Sequence, residues 1–318
     1  MNLINVTVAE KRAEAEGICS FVLVGAQGDD LPPFGPGAHI DVHLPGQLVR
    51  QYSLCNDAST ADHYQIGVLR DARSRGGSAA MHEQVKEGDT LRISAPKNHF
   101  ELVPATHTLL FAGGIGITPL LCMAQRLAST GASFELHYCA RSPGHAAFLA
   151  QLLDAPFAAR VHTYFDSGPD EQRMDVARLL AVPHAATRVY VCGPAGYIDH
   201  VTGAAASVGW APEQVHVEHF GAANAAHAGD TPFDVEIASS GMRFSIPPDR
   251  SVLHVLLEHG IDIPASCEQG VCGTCVTGVL AGVPDHRDHY FNSAEHARND
   301  SFTPCCSRAR TASLVLDL

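Results

Sequence analysis

The stretch Ser266-Cys-Glu-Gln-Gly-Val-Cys-Gly-Thr-Cys275 decides the fold of the C-terminal part of this 318-residue chain. Its cysteines, Cys267, Cys272 and Cys275, have the spacing C-x4-C-x2-C, and Cys305 follows after 29 further residues. Plant-type [2Fe–2S] sites have this spacing, because one tight loop supplies three thiolates to the two irons and a distant segment supplies the fourth. The stretch therefore predicts an iron–sulfur cluster held by these four cysteines.

Two alternatives to this ligand set stay open at the level of sequence. A structural zinc site usually pairs two C-x2-C units, whereas here the first gap is four residues and the returning cysteines, Cys305 and Cys306, are adjacent. Cys306 competes with Cys305 as fourth ligand, and we favour Cys305 because neighbouring residues of a strand point to opposite faces. Gly270 and Gly273 suit a loop whose backbone passes close to the cluster and adopts positive φ.

The acidic composition excludes whole classes of function. The chain has 34 Asp and Glu against 21 Lys and Arg, a net charge of −13, so it lacks the basic surface that binding to nucleic acid requires. With 46% hydrophobic residues, its length suffices for two or three globular domains. A chain of this length has no need of disulfides, so its ten cysteines indicate reduced thiols in the cytoplasm.

The most apolar stretch is too short to cross a membrane. Leu109–Met123 contains three glycines and one proline, which fits a strand, a turn and a helix better than a membrane span. Residues 1–17 carry charge from Glu10 onward and lack the apolar segment of a signal peptide. We therefore expect a cytoplasmic protein without a membrane partner.

The spacing of apolar residues along the sequence predicts three domains. Short alternating runs such as Ile4–Val8, with one helix near Ala79–Val85, predict a small antiparallel β-barrel. Strands then alternate with helices, which predicts an α/β domain with a parallel sheet. After a small, polar linker the chain returns to short strands with a helix at Ser251–His259. The predicted domains are 1–104, 105–222 and 232–318, with the linker at 223–231.

Two glycine-containing turns end strands of the predicted parallel sheet. Gly113-Gly-Ile-Gly-Ile-Thr-Pro119 follows a strand and opens a helix, with Thr118 placed to cap that helix. Gly114 and Gly116 leave backbone N–H groups bare for a pyrophosphate. Cys192-Gly193-Pro194 ends a later strand, so both turns should meet at one edge of the sheet. The third glycine of G-x-G-x-x-G is absent, and a purely structural turn remains the alternative.

Two further polar residues follow strands of the same sheet. Arg141 follows Phe134–Ala140 and could reach a phosphate or ribose. Asp166 follows Val161–Phe165, and acidic residues at such positions accept hydrogen bonds from ribose hydroxyls. A solvated arginine and an aspartate that caps a turn are the alternatives.

The N-terminal domain contains two candidate flavin motifs. In Arg50-Gln-Tyr-Ser-Leu54, Tyr52 could lie along the isoalloxazine ring, while Arg50 and Ser53 could hydrogen-bond the flavin. In Arg75-Gly-Gly-Ser78, a forked cation precedes bare backbone N–H groups at a helix start, which suits one terminal phosphate. Each motif alone also fits an ordinary turn or strand.

Together, these motifs resemble one family over essentially all 318 residues, that of phthalate dioxygenase reductase and vanillate demethylase reductase. The resemblance implies a multidomain protein with an antiparallel β-barrel flavin domain, an α/β nicotinamide-nucleotide domain and an α+β, β-grasp-like plant-type ferredoxin domain. The motifs that carry it are Arg50-Gln-Tyr-Ser-Leu-Cys-Asn56, Arg75-Gly-Gly-Ser78, Ala112-Gly-Gly-Ile-Gly-Ile-Thr-Pro119, Cys192-Gly-Pro194, the cysteine loop and the tail Cys305-Cys-Ser-Arg-Ala309.

The resemblance also implies roles for single residues. Phe220 matches an aromatic residue that covers the flavin face, although a core residue ending a strand is the alternative. The family's C-x-S-R-A tail selects Cys305 as the fourth cluster ligand. The implied FMN contacts are Arg50, Tyr52, Ser53, Leu54, Arg75, Gly76, Gly77 and Ser78. The implied NADH contacts are Gly114, Gly116, Thr118, Gly193 and Pro194, with Cys192 orienting the nicotinamide.

The expected activity follows from electron counting. NADH gives up two electrons as a hydride, whereas a [2Fe–2S] cluster accepts one at a time, and FMN can bridge the two. The resemblance implies an NADH-dependent iron–sulfur flavoprotein that passes electrons to a Rieske-type terminal oxygenase of an aromatic compound. We expect transient docking of a monomer. A single-phosphate turn favours FMN over FAD, and the lack of a basic cluster after Arg141 favours NADH over NADPH.

Two other functions fit parts of the sequence. A flavin reductase for other acceptors would leave the cluster off the electron path, and a non-enzymatic carrier would have a vestigial nucleotide domain. His286 and His289 are interpreted as a solvated turn rather than a metal site. Cys19, Cys55 and Cys122 lie in or beside apolar runs and are expected to pack in the core.

Overall fold

The computed structural model describes residues 3–45, 48–60, 62–72, 76–169, 172–220 and 229–318. These residues form two compact units, Met1–Glu218 and His219–Leu318. Within the described ranges, no helix is both long and apolar enough to span a membrane.

An antiparallel sheet opens the first unit. Apolar residues alternate along it, so that Val6 and Val8 of the first strand are fully buried while Thr7 between them is not. The sheet has the order β4-β3-β6-β1-β2-β5, with β7 paired to β3, and a bridge between Leu54 and Ile66 links its two ends into a barrel. Its strands are β1 (Ile4–Ala15), β2 (Ile18–Gly25), β3 (Ala38–Leu44), β4 (Leu48–Ser53), β5 (Tyr64–Leu69), β6 (Thr90–Ile93) and β7 (Lys97–Asn98). A helix, α1 (Gly77–Glu83), follows β5 and confirms the prediction near Ala79–Val85.

A five-stranded parallel sheet completes the first unit. The strands are β8 (His107–Gly113), β9 (Phe134–Ala140), β10 (Val161–Phe165), β11 (Thr187–Cys192) and β12 (Val215–Glu218), and their order is β10-β9-β8-β11-β12. The helices are α2 (Ile117–Ser129), α3 (Leu149–Leu153), α4 (Val176–Leu179) and α5 (Ala195–Ser207). The strand order reverses between β8 and β11, and ligands of such sheets bind outside the carboxyl ends at that point.

The barrel and the parallel sheet share a hydrophobic core. Ile18, Cys55 and Phe100 of the barrel side pack in one buried cluster with residues of β8, β9 and α2. The backbone N–H of Val103 donates to the Tyr190 hydroxyl, with 2.8 Å between nitrogen and oxygen. These contacts explain why residues 1–218 behave as one compact unit rather than two.

The second unit is an α+β fold around a mixed sheet. Its main sheet has the order β14-β13-β19-β15-β17, with β13 and β19 parallel at the centre. The strands are β13 (Phe233–Ile237), β14 (Arg243–Ile246), β15 (Thr277–Ala281), β16 (Pro284–Asp285), β17 (Ser301–Phe302), β18 (Arg308–Ala309) and β19 (Ser313–Leu316), and the helices are α6 (Val252–Glu258) and α7 (Ser293–His296). The helix predicted at Ser251–His259 is confirmed, since Ser251 caps α6 by accepting from the His254 backbone N–H.

Candidate cofactor sites

The four predicted cluster ligands come together as two thiol pairs. The thiol of Cys267 contacts that of Cys272, and the thiol of Cys305 contacts that of Cys275. Contact with Cys272, together with burial, raises the pKa of Cys267, while contact with Cys267 lowers the pKa of Cys272. Two pairs of thiols are the arrangement that a [2Fe–2S] cluster requires, since each iron would take two cysteines.

Two glycines of the cysteine loop have the positive φ that the sequence predicted. Gly270 has φ 69° and Gly273 has φ 68°. A Cβ atom at Gly273 would lie 2.2 Å from the Tyr290 ring, and one at Gly270 would lie 2.4 Å from Cys306 Sγ. Both side chains would also be strained at this φ. The loop therefore needs glycine for its conformation and for the residues packed behind it.

The structure favours Cys305 over Cys306 as the fourth ligand, but the reason differs from the one predicted from the sequence. Both residues lie in a turn between β17 and β18, so the argument from strand alternation was wrong. The thiol of Cys305 contacts those of Cys275 and Cys306, while Cys306 Sγ also lies 3.2 Å from the Thr303 hydroxyl and would be 2.4 Å from a Cβ at Gly270. This geometry favours Cys305 as the ligand.

Polar groups around the loop fit a bound iron–sulfur cluster. The backbone N–H of Gln269 donates to Cys267 Sγ at 3.3 Å, and that of Thr274 donates to Cys272 Sγ at 3.4 Å. Such bonds stabilise negative charge on ligand sulfur. The buried hydroxyl of Ser266 has no hydrogen-bond partner among the described residues, so it is available to cluster sulfur. The residues present therefore suit the group.

The first flavin motif lies on β4 and continues to the bridge at Leu54. Tyr52 is half-buried and burial raises the pKa of its phenol, while Leu54 is fully buried. The Arg50 side chain passes so close to Gly77 that a Cβ there would lie 2.5 Å from Arg50 Cγ. The β4 motif and the start of α1 are thus brought together, as a cofactor shared by both requires.

Part of the second flavin motif is described as well. Gly76 has φ 92° immediately before α1, a conformation that favours glycine. The Ser78 hydroxyl accepts from the Asp71 backbone N–H at 3.2 Å. Arg75 lies outside the described residues, so its predicted role stays a prediction.

The two glycine turns of the parallel sheet meet, as predicted. A Cβ at Gly116 would lie 2.2 Å from the Cys192 carbonyl oxygen, and the Cβ of a residue at Gly193 would lie 3.0 Å from Gly113 Cα. The turns after β8 and β11 are therefore packed at van der Waals contact, and only glycine permits it. They flank the point where the strand order reverses, which is the expected place of a dinucleotide.

Thr118 does not cap the helix, contrary to prediction. Helix α2 begins at Ile117 and its preceding residue is Gly116. Thr118 is buried in the first turn, where its hydroxyl donates to the Ile115 carbonyl at 3.1 Å and its methyl group packs on Gly67 of the barrel. Helix α2 starts at Ile117, two residues before the start at Pro119 that a cap at Thr118 implies, because the glycine turn runs directly into it.

Ser53 and Glu218 form a polar contact at the carboxyl edge of the parallel sheet, where β12 ends beside β11. Ser53 Oγ donates to Glu218 Oε2 at 3.2 Å, and Glu218 pairs in register with Cys192 on the neighbouring strand. Part of the Glu218 surface stays accessible, but its carboxyl group is surrounded by protein, and this burial raises its pKa to about 8. Burial, and then the nearby Glu218, raise the pKa of Cys192 well above its usual value, so its thiol stays neutral.

The remaining predicted contacts lie on exposed surface. Arg141 and Asp166 are exposed at the ends of β9 and β10, which are adjacent, since the Asp166 backbone N–H donates to the Ala140 carbonyl. Phe220 belongs to the second unit and is 38% exposed, which does not fit the alternative of a core residue. Its predicted role toward the flavin stays a prediction.

Comparison with known proteins identifies the family. The 2Fe-2S iron-sulfur cluster binding domain family matches residues 235–310. The vanillate O-demethylase oxidoreductase of Pseudomonas sp. (strain HR199 / DSM 7063) is 51% identical over 317 residues, which cover 99% of this chain and 100% of that protein. The solved structure of phthalate dioxygenase reductase has a TM-score of 0.82 and 39% identity, covering 100% of this chain and 98% of its own. The chain belongs to this reductase family.

The phthalate 4,5-dioxygenase oxygenase reductase subunit of Pseudomonas putida supports the same assignment, with 42% identity over 98% of this chain and 95% of that protein. The chain is therefore a nicotinamide-nucleotide-dependent iron–sulfur flavoprotein reductase. The predicted fold class, a flavin barrel with a parallel α/β sheet and a plant-type ferredoxin domain, is confirmed.

The environments of two residues, Glu218 and His286, were not predicted from the sequence. Glu218 ends a strand without any motif around it, and only the pairing of β12 with β11 places it beside Cys192. His286 was interpreted as part of a solvated turn, which is wrong, because its side chain is only 7% exposed. His289 is exposed, as expected. Of the cysteines expected to pack, Cys55 and Cys122 are fully buried, while Cys19 is half-buried.

Proposed function

We propose that this protein takes a hydride from NADH onto FMN and passes single electrons through its [2Fe–2S] cluster to a Rieske-type terminal oxygenase of an aromatic compound. The observation that carries the proposal is the combination, in one chain, of the converging glycine turns with four cysteines in two thiol pairs. The names of the relatives, a vanillate O-demethylase oxidoreductase and a phthalate dioxygenase reductase, support the aromatic oxygenase system.

The proposed flavin site uses the β4 motif and the turn before α1. FMN supplies the step from two-electron to one-electron transfer when it is bound. Tyr52 would line the ring, Arg50 would neutralise the phosphate, and the backbone N–H groups of Gly77 and Ser78 would bind its oxygens. The bare turn at Gly76 and Gly77 leaves room for one terminal phosphate, which supports FMN over FAD.

The proposed nucleotide site lies at the carboxyl edge of β8 and β11. Gly114 and Gly116 would approach the pyrophosphate, and Arg141 and Asp166 would contact the ribose or phosphate beyond it. Cys192 would hold the nicotinamide against the barrel edge, where Ser53 and Glu218 already meet. Besides Arg141, the sequence His137–Ala147 contains two histidines, His137 and His145, but no lysine or second arginine, which supports NADH over NADPH.

Acceptor choice tests whether electrons leave through the cluster. Cys272→Ser should remove the cluster, and Cys306→Ser is the control because Cys306 is a further cysteine of the same unit that is not a predicted ligand and lies beside Thr303. With NADH as donor, we expect C272S to keep ferricyanide reduction within about twofold while cytochrome c reduction falls more than about tenfold. C306S should keep both activities, together with two irons and two sulfides per chain.

Cytochrome c reduction by a C272S protein that lacks iron, at the wild-type rate, would contradict the proposal and favour a flavin reductase with the cluster off the electron path. Two further assays test the cofactors themselves. Mass spectrometry of the released flavin should show FMN, and NADH at equal concentration should reduce the protein faster than NADPH. FAD in the extract, or a faster reaction with NADPH, would overturn that part of the proposal.

A further inference from the structure

We propose that His286, Asp288 and His296 of the second unit form a binding site for one divalent transition-metal ion of the zinc class, separate from the iron–sulfur cluster. One ligand atom of each residue lies within 4.8 Å of the others. His286 Nδ1 is 3.6 Å from Asp288 Oδ1, and His296 Nε2 is 3.2 Å from Asp288 Oδ2. Ligands at about 2.0–2.1 Å from a tetrahedral ion lie about 3.4 Å apart, so small rotations would close the site.

The buried imidazole of His286 is the second observation that points to a ligand. Its side chain is 7% exposed, and neither of its ring nitrogens has a hydrogen-bond partner among the described residues. The 3.6 Å separation from Asp288 exceeds a hydrogen bond. A buried polar group without a partner destabilises the folded state, and a coordinated ion would supply the missing partner.

The carboxylate between the two histidines is held as a metal ligand usually is. The Asp288 side chain is fully buried. Its Oδ2 accepts from the Phe291 backbone N–H at 2.9 Å, and its Oδ1 accepts from the Ser307 hydroxyl at 3.3 Å. Hydrogen bonds of this kind orient carboxylate ligands and leave a lone pair on each oxygen for a metal.

The site also has a route to solvent and a suitable chemistry. The His296 side chain is 28% exposed, so an ion and one water ligand can reach it from that side. The rings of His286 and His296 stack with centroids 4.3 Å apart, so both imidazoles lie next to each other beside Asp288. Two imidazoles and one carboxylate are a ligand set for zinc and neighbouring divalent metals, whereas magnesium and calcium prefer oxygen alone.

The bound ion would stabilise the cysteine loop Cys267–Cys275. A Cβ at Gly270 of the cysteine loop would lie 3.0 Å from Asp288 Cα, and Ser307 follows the ligand Cys305 by two residues. The segment from His286 to His296 also carries Tyr290, which packs on Gly273. Joining the two ends of this segment should therefore slow loss of the iron–sulfur cluster.

Zinc binding to the holoenzyme tests the proposal. The protein is purified with a full complement of iron and sulfide, so that the cluster cysteines are occupied, then treated with a mild chelator and dialysed against Zn²⁺. Elemental analysis should find one zinc per chain in the wild type. In His296→Gln the dissociation constant should rise more than about 100-fold, since loss of a ligand exceeds the effect of an outer-shell partner. His286→Gln should show the same loss.

His254→Gln is the matched control. His254 lies 3.3 Å from Glu268, so it is also an imidazole beside a carboxylate in the same unit, and zinc binding should not change. Zinc should raise the temperature at which the visible cluster absorbance is lost by at least about 4 °C in the wild type and H254Q, but not in H296Q. The proposal is overturned if the wild type binds no more zinc than H296Q, or if H254Q loses as much as H296Q. Because H296Q alters a partly exposed residue, its iron content and folding should stay intact.

Discussion

Ser53 at the end of β4 donates a hydrogen bond to Glu218 at the end of β12, with 3.2 Å between Oγ and Oε2. This bond joins the barrel to the last strand of the parallel sheet, at the edge where Cys192 also lies. The proposed flavin and nicotinamide sites would meet there. Glu218 is a titratable group in this region, and the proposed hydride transfer should therefore depend on it.

Ser53→Ala and Glu218→Gln should slow flavin reduction by NADH. Loss of the hydrogen bond loosens the edge at which the two rings must align, and a small misplacement costs about 10- to 100-fold in rate. Stopped-flow absorbance under anaerobic conditions measures this step directly. Ser20→Ala is the control, because Ser20 donates to Glu14 at 2.6 Å in the same barrel. An effect of equal size in S20A would refute a specific role for Ser53.

The pH profile should report Glu218. Its pKa is raised to about 8, so the carboxyl group is largely neutral at neutral pH and ionises as the pH rises past that value. We expect the rate of flavin reduction to change through a transition near this pKa in the wild type. Glu218→Gln, which cannot ionise, should lack that transition. An unchanged profile in E218Q would assign the transition to another group.

The same carboxyl group should affect stability with a defined sign. The pKa of Glu218 in the folded protein lies above its unfolded value of about 4.3. At any pH between these two pKa values, the folded state therefore binds more protons than the unfolded state. The stabilisation from protonated Glu218 is fully present below about pH 4.3 and is lost as the pH rises through the folded pKa. Thermal unfolding followed by far-UV circular dichroism should therefore show wild-type Tm falling more steeply than that of E218Q from about pH 5 to about pH 9. Parallel curves would contradict this.

Gly273→Ala should damage the cysteine loop. The new Cβ would meet the Tyr290 ring at 2.2 Å, so we expect a loss of about 1–3 kcal/mol in stability and reduced iron content. Gly241→Ala is a matched control, because Gly241 has φ 69° but nothing within 4 Å of a Cβ. The double variant G273A/Y290A should recover part of the iron. Equal losses in G273A and G241A would assign the effect to backbone strain alone.

Much of the fold could be predicted from the sequence, since it depends on local patterns. Alternation of apolar residues located the barrel strands, and the strand Phe134–Ala140 matches its prediction residue for residue. Strand β4 was not predicted as an element, because its residues are half-buried throughout except Ser53 and show no alternation. The spacing of the cysteines was sufficient for the cluster, because all but one ligand come from a single loop.

The features that could not be predicted from the sequence depend on contacts and turns that no local pattern of residues indicates. Glu218 carries no local signal, and its raised pKa comes from burial beside Ser53, which is 165 residues away. The burial of His286 requires Asp288 and His296 to fold over it. Thr118 is not the helix cap, because the glycine turn enters helix α2 two residues earlier and without a side-chain cap.

In the proposed function, electrons from NADH reach the cluster held by Cys267, Cys272, Cys275 and Cys305. Rapid freezing after anaerobic mixing with NADH, followed by electron paramagnetic resonance, tests it most directly. We expect the signal of a reduced [2Fe–2S] cluster in the wild type and in C306S, and its absence from C272S and C305S. A wild-type protein with full iron content whose flavin bleaches while no cluster signal forms would show that electrons from NADH do not reach the cluster.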